Sequence, residues 1–276
     1  MILRVADGCP HNECTFCGMY KGVPYRTHSP GEIEASVAAA RAEWPDAKRI
    51  FLADGDVMAL SYRRLREILL LLSAAFPALL RVNVYANGSS IQRKSDEELS
   101  ELRRLKLQTL YLGLESGDEA LLAEVRKGET AEAMVRAVRR AQACGFRVSV
   151  MVLLGLAGPT GSGRHAELTA QTLNQMQPRL LSALRWIPIA GTEREGRVAS
   201  GTLTALTEWE SVAELRAIVS GLELDQTVFR ANHRSNVVPI EARLPRDKVK
   251  LLEALDDLLT SGALDRHSPG PAPYVL

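Results

Sequence analysis

The chain has 276 residues, 46% hydrophobic and 24% charged, with a formal net charge of +1. Such a balance excludes the broad basic footprint of a general nucleic-acid binder, and no apolar run approaches membrane-spanning length. The length fits one large α/β unit, since barrels of that class run to about 250 residues. The opening run Met1-Ile2-Leu3-Arg4 meets charge too soon to read as a secretory signal. Cysteine usage points to the reducing cytoplasm, where thiolates stay available to a metal.

Strands and helices alternate along the chain. Residues 2–6 read as a first strand. Residues 30–43 are a helix opened by Pro30-Gly31-Glu32. A second strand at 49–53 ends on Asp54-Gly55-Asp56, and Ser61 is a fitting N-cap for a helix to 76. A third strand covers 81–86. Ser95 with Glu98 three residues on is a capping-box signature for the next helix. A fourth strand at 108–114 precedes helical stretches at 118–126 and 130–144. A fifth strand at 147–154, a helix at 165–176, a sixth strand at 181–187 and a helix at 207–222 follow. Residues 226–231 read as a further extended segment, residues 245–259 as a last helix, and the Pro- and Gly-rich tail from Arg266 as peripheral. Strands separated by helices imply parallel pairing with right-handed crossovers. The alternation by itself fits a partial barrel, a full eight-unit barrel or an open doubly wound sheet.

Cys9, Cys14 and Cys17 stand within nine residues, and the rest of the chain holds one further cysteine, Cys144. Three clustered thiols are a poor disulfide pattern and a good one for an iron–sulfur cube with one iron left open. A structural zinc loop would need a fourth ligand, which His11 offers. The run Cys9-Pro10-His11-Asn12-Glu13-Cys14-Thr15-Phe16-Cys17, with an aromatic residue before its last cysteine, resembles the loop of the radical S-adenosylmethionine enzymes. Four residues separate the first two cysteines here, where three are commonest in that family.

The resemblance implies an α/β fold of the partial (β/α)6 TIM-like barrel type with a C-terminal extension. Residues 1–225 are expected as the core, with 226–276 packed on it and not forming an independent domain. The implied cofactors are a 4Fe–4S cluster on Cys9, Cys14 and Cys17 and S-adenosylmethionine, cleaved to a 5′-deoxyadenosyl radical that abstracts hydrogen from the substrate. By position, Asp54, Gly55 and Asp56 resemble the motif for the cofactor's amino group. Glu115 and Ser116 resemble the segment near its ribose, Gly155 the glycine-rich turn near its adenine, and Pro188 the segment meeting the adenine edge, with Phe16 on the cluster loop. The implied partners are a small-molecule substrate and an electron donor of the flavodoxin or ferredoxin type, with no nucleic acid and no membrane.

Strand alternation separates an outer apolar face from an inner one. Asn83, Tyr85 and Asn87 are expected inside on the third strand, Tyr111 and Glu115 on the fourth, and Arg185 on the sixth. This polar interior suits a hydrogen-bonding, compact substrate, with Tyr85 and Tyr111 near the chemistry and Asn83, Asn87 and Arg185 as substrate contacts. The run Asn232-His233-Arg234-Ser235-Asn236 supplies His233 as a proton donor or acceptor and Asn236 as a substrate contact. Its His-x-Ser-Asn core resembles segments of biotin-synthase-related radical enzymes. Lys21 and Lys127 read as solvated surface, and His165 carries no functional expectation. Two other functions fit the residues: a non-catalytic carrier or chaperone that binds a cluster or cofactor, and a sulfur-inserting enzyme dependent on a partner.

Overall fold

The computed structural model describes residues 1–270. The chain is an α/β protein with a mostly parallel eight-stranded sheet, and it divides into two compact units. In order, its elements are β1 (Ile2–Arg4), β2 (Ala6–Asp7), β3 (Arg26–Thr27), α1 (Pro30–Glu43), β4 (Arg49–Ala53), α2 (Tyr62–Ala75), β5 (Arg81–Ala86), α3 (Gly88–Gln92), α4 (Asp96–Arg104), β6 (Leu107–Glu115), α5 (Glu119–Glu124), α6 (Ala131–Ala143), β7 (Arg147–Leu154), α7 (Gly158–Met176), β8 (Leu180–Arg185), α8 (Glu193–Ala199), α9 (Glu208–Gly221), β9 (Thr227–Arg230), β10 (Glu241–Leu244) and α10 (Lys248–Thr260). The strand order β1-β4-β5-β6-β7-β8-β9-β10 follows the chain without a switch point, which is the order of a barrel and not of a doubly wound sheet.

The first unit comprises Met1–Asn12, Met19–Leu112 and Arg136–Val148. Here β1, β4, β5 and β6 pair in parallel, with Phe51 opposite Asn83 and Tyr85 opposite Tyr111. Ile50, Leu52, Val82, Val84, Leu110 and Leu112 are buried on the outer face. Residues Ile33 and Val37 of α1 and Ile68 and Leu72 of α2 close around Leu3 and Leu52. The helix starts are written locally. Ser29 with Glu32, and Ser95 with Glu98, form complete capping boxes, and Ser61 accepts from Arg64 N.

The second unit comprises Glu13–Gly18, Gly113–Val135 and the chain from Ser149 on. Strands β7, β8 and β9 pair in parallel, and β10 returns antiparallel on β9. The outer residues Val150, Val152, Leu181 and Ala183 are buried, and α7 and α9 pack together.

The differences from the sequence expectation have local causes. The first strand breaks at Val5 into β1 and β2. Helix α7 starts at Gly158, not at 165, because the run Gly158-Pro159-Thr160-Gly161-Ser162-Gly163 hides a helical turn behind weak helix formers. The short helices α3 and α8 and the four-residue strand β10 escape pattern reading, since each is too short to show a period. The tail is not peripheral as far as Gly270. Glu208 N donates to Ser268 O, Trp209 N to Asp265 O, and the Arg266 guanidinium sits 4.6 Å over the Trp209 ring.

Candidate active site

Within the first unit, β1 and β2 deliver the chain to Gly8, in the left-handed region at φ 78°, and then to Cys9. The turn after β4 lies directly on this segment. A Cβ on Gly55 would fall 2.7 Å from Cys9 Cα, so only glycine allows the approach. Tyr20 joins the two: its hydroxyl accepts from Gly55 N at 3.0 Å and donates to Asp54 Oδ1 at 3.4 Å. Burial, together with Asp54, pushes the Tyr20 phenol above its ordinary value. Asp54 also meets Arg4 at 3.7 Å and lines a cavity of about 400 Å³ with Tyr20. A larger cavity of about 530 Å³ lies between α1 and α2 and holds none of the candidate residues.

Asp56 is engaged within the first unit. Its side chain is buried and accepts from Ser90 Oγ at 3.0 Å, with Lys94 nearby. The carboxylate ties α3 to the turn after β4. On the inner face Phe51, Tyr85 and Tyr111 form an edge-to-face trio, with centroids 4.9, 5.4 and 6.2 Å apart. Burial and the neighbouring Tyr111 raise the Tyr85 phenol. Asn83 Oδ1 is buried beside this trio with no protein partner. Asn87 is the N-cap of α3, and its N–H donates to Ser90 Oγ at 3.1 Å.

Within the second unit, the later part of the cysteine loop is pinned by its backbone. Thr15 N donates to Val125 O at 3.0 Å, Arg194 N to Thr15 O at 3.0 Å, and Cys17 N to Cys14 O at 3.4 Å. Phe16 anchors a core with Leu121, Val125, Leu156 and Trp186, against which Cys14 and Cys17 pack. Lys127 is buried, not solvated, and its Nζ lies 2.9 Å from Glu115 Oε1. Burial pulls the Lys127 ammonium down; the electrostatic pull of Glu115 and Cys14 outweighs it, leaving the group above its ordinary value. A Cβ on Gly113 would lie 2.9 Å from the Glu115 carboxyl carbon and 3.1 Å from Lys127 Nζ, so a larger residue there would displace the ends of this ion pair.

Ser116 braces the turn before α5, whose N-cap is Asp118. Its hydroxyl accepts from Asp118 N at 3.0 Å and lies 2.8 Å from His165 Nδ1. Gly155, at φ 81°, donates its N–H to Glu214 Oε1 at 2.7 Å, and Ser162 donates to the other oxygen of Glu214. Gly155 and Pro188 line a common cavity of about 240 Å³. Arg185 does not enter the interior. It continues the outer-face register of Leu181 and Ala183, and it donates to the carbonyls of Ser235 and Pro269. Asn236 likewise serves the backbone, donating to Ala183 O at 2.9 Å. His233 is exposed, with Nδ1 2.8 Å from Ser235 Oγ, and burial with Arg234 lowers its imidazole.

Sequence reading missed Glu214, His165, Trp186, Arg194 and Ser211, all buried. The one available signal was Glu214 among the apolar positions Val212, Leu215, Ile218 and Val219 of α9.

Among the described residues no three His, Cys, Asp or Glu side chains converge on a single ion, the arrangement of a zinc site. A cube instead takes one thiolate at each of three irons. The setting fits that group: the four cysteines are thiols, the loop is braced on both flanks, and a buried ammonium stands beside Cys14.

The family model of the radical SAM superfamily matches residues 3–167, more than half of the chain. The chain belongs to the radical SAM superfamily. It is a radical SAM enzyme by family, and the family implies a 4Fe–4S cluster, S-adenosylmethionine, a small-molecule substrate and a reductant. Solved structures agree in fold. Methylornithine synthase (PylB) superimposes with a TM-score of 0.57 at 16% identity, covering 93% of this chain and 80% of its own. The anSMEcpe enzyme, solved with bound AdoMet and a Kp18Cys peptide, gives 0.58 at 13% identity over 79% of this chain and 59% of its own. Coproporphyrinogen III oxidase (HemN) from Escherichia coli gives 0.56 at 14% identity, covering 70% of this chain and 46% of its own. The chain therefore spans most of one of these neighbours and about half of the others. No curated protein matches the sequence. No helix among the described residues is long and apolar enough to cross a membrane.

Proposed function

We propose that Cys9, Cys14 and Cys17 hold the cluster and that the chain turns S-adenosylmethionine on a polar small molecule. The observation that carries this reading is the close seating of the Asp54-Gly55 turn on Cys9, which brings the amino-group candidate to the first cysteine. When bound, the cluster and S-adenosylmethionine supply a 5′-deoxyadenosyl radical.

The chain's own residues do the rest. Asp54 offers a carboxylate to an ammonium, with Tyr20 fixing its orientation. Glu115, oriented by Lys127, offers its second oxygen to a hydroxyl-bearing ligand. Phe16 and Trp186 keep water from the back of the cysteine loop. Gly155 and Pro188 give the nucleoside base a cavity. Asn83 supplies an unmet acceptor to a substrate donor, beside Tyr85 and Tyr111. Asn87 lies on the same inner register, and His233 offers an exposed imidazole. The expected electron donor is a flavodoxin or ferredoxin, in the cytoplasm, and the His233–Asn236 run supports a biotin-synthase-related branch. Residues 226–270 act as an extension of the 1–225 core, and the remainder of the 226–276 extension lies outside the described residues. Support comes from β9 pairing with β8, Trp209 Nε1 donating to Leu259 O, and Arg216 meeting Asp256 at 2.8 Å.

The test is anaerobic reconstitution followed by iron and sulfide counts, then S-adenosylmethionine with dithionite and mass spectrometry for 5′-deoxyadenosine. About four irons per chain and deoxyadenosine formation, both lost in Cys14→Ala, are expected. A filled cluster with no cleavage under several reductants would favour a carrier. Zinc in place of iron would overturn the assignment.

A further inference from the structure

The cavity of about 530 Å³ between α1 and α2 lies within the first unit and is an open, mostly apolar groove. Val37, Ala38, Ala42 and Pro45 line it from α1 and its end, and Leu71 and Ala74 from α2. Apolar surface continues beyond it: Trp44, at the end of α1, is 56% exposed, and Leu70 of α2 is 41% exposed. An apolar surface of this kind marks a place for a partner. Two charges say which partner. Glu34 and Arg41 are the charged residues of the lining, and both are exposed. Neither side chain makes a hydrogen bond or an ion pair among the described residues. They stand seven residues apart in the chain, so they share one face of α1 about two turns apart. Ion pairs along a helix form between residues three or four apart, so these two do not serve each other.

We propose that two copies of this chain associate through the α1–α2 groove, α1 antiparallel to α1, with Glu34 of each copy paired to Arg41 of the other. A two-fold axis crossing the helix between Val37 and Ala38 sets position 34 of one copy against position 41 of the other, and does so twice. One acid and one base thus make two identical ion pairs. Ala38 falls at the centre, where a small exposed side chain lets the two helices approach closely. The apolar lining supplies the buried area, and the charges fix the antiparallel sense and exclude unmatched partners. Helix α1 has 14 residues, about 21 Å of length. A contact of that length stands at the small end of specific interfaces, so the dimer forms in the micromolar range and exchanges with monomer.

Sedimentation velocity of the anaerobically reconstituted protein, from about 1 to about 200 μM, provides the test. Excess reductant keeps the thiols from cross-linking the copies. The mass is expected to rise from one chain to two across that range. Glu34→Arg and Arg41→Glu each turn two attractions into two repulsions, so each should weaken the dimer by about tenfold or more. The double variant keeps both pairs with their sense reversed and should return to within about threefold of the natural protein. Ala38→Glu places two like charges at the centre and should leave a monomer at every concentration. All three positions are exposed, and far-ultraviolet circular dichroism checks that each variant is folded. Recovery in the double variant separates a lost pairing from a damaged helix, because damage would add and not cancel. A natural protein that stays at one chain throughout would overturn the proposal. A dimer that both single reversals leave within twofold, or that the double variant fails to restore, would overturn it too, as the copies would then meet elsewhere.

Discussion

His165 Nε2 lies 3.7 Å from Glu214 Oε1, and both side chains are wholly buried. Even so, both groups favour their neutral forms. Burial pulls the His165 imidazole down to about 4. Burial pushes the Glu214 carboxyl up to about 7, against the donors Ser162 and Gly155. Asp118 is the charge that acts on His165, and it is engaged by Arg164. Glu214 is raised from 4.5, so its contribution to stability is complete below that pH and fades as pH rises through about 7. His165 is lowered from 6.5, so its contribution is complete above that pH and fades as pH falls through about 4. Between pH 4.5 and 6.5 the two slopes oppose and largely cancel. Glu214→Gln removes one of them. Urea denaturation of that variant is expected to show stability rising by roughly 2–3 kcal/mol from pH 4 to pH 6.5, against a nearly flat natural protein. A flat profile in the variant would mean that the folded chain holds a charged His165.

At the scale of elements, the helix caps and the strap after α10 behave differently. Caps at Ser29, Ser61, Ser95 and Thr207 each use a side chain within three residues of the helix they start. The strap's anchors are distant in sequence: Glu208 and Trp209 at the start of α9, and Arg185 at the end of β8. Arg185 ties both the Ser235 loop and Pro269 to that strand end. Arg185→Met should free the strap while the buried apolar face of β8 keeps the strand in place. Limited proteolysis at residues 261–270 is expected to speed up by about tenfold, with the near-ultraviolet circular dichroism of the body kept. An unchanged cleavage rate would show that the Trp209 and Glu208 contacts hold the strap unaided.

For the molecule as a whole, a group bound only by the folded chain adds its binding energy to stability. Reconstituted protein should melt roughly 5–10 °C above the metal-free form, and chelation should return it to the lower value. Cys14→Ala should melt at one temperature under both conditions. Equal melting of the natural protein with and without iron would place the metal outside the folded structure.

Much of this protein is written in short stretches of its sequence. The cysteine spacing, the alternation of strand and helix and the capping box at α4 are each encoded within a few residues, so they are legible in the amino-acid sequence itself. The inner and outer faces of β5 and β6 are legible there as well, because a strand's period of two is a local property. The three-dimensional structure decided where single polar side chains go. Asp56 turns to Ser90, Ser116 to His165, Lys127 to Glu115 and Arg185 to the strap. The cavity beside Gly155 and Pro188 joins residues from the end of β8 and from α9. Burial and hydrogen-bond partnership depend on segments far apart in the chain, and no window of a dozen residues contains them.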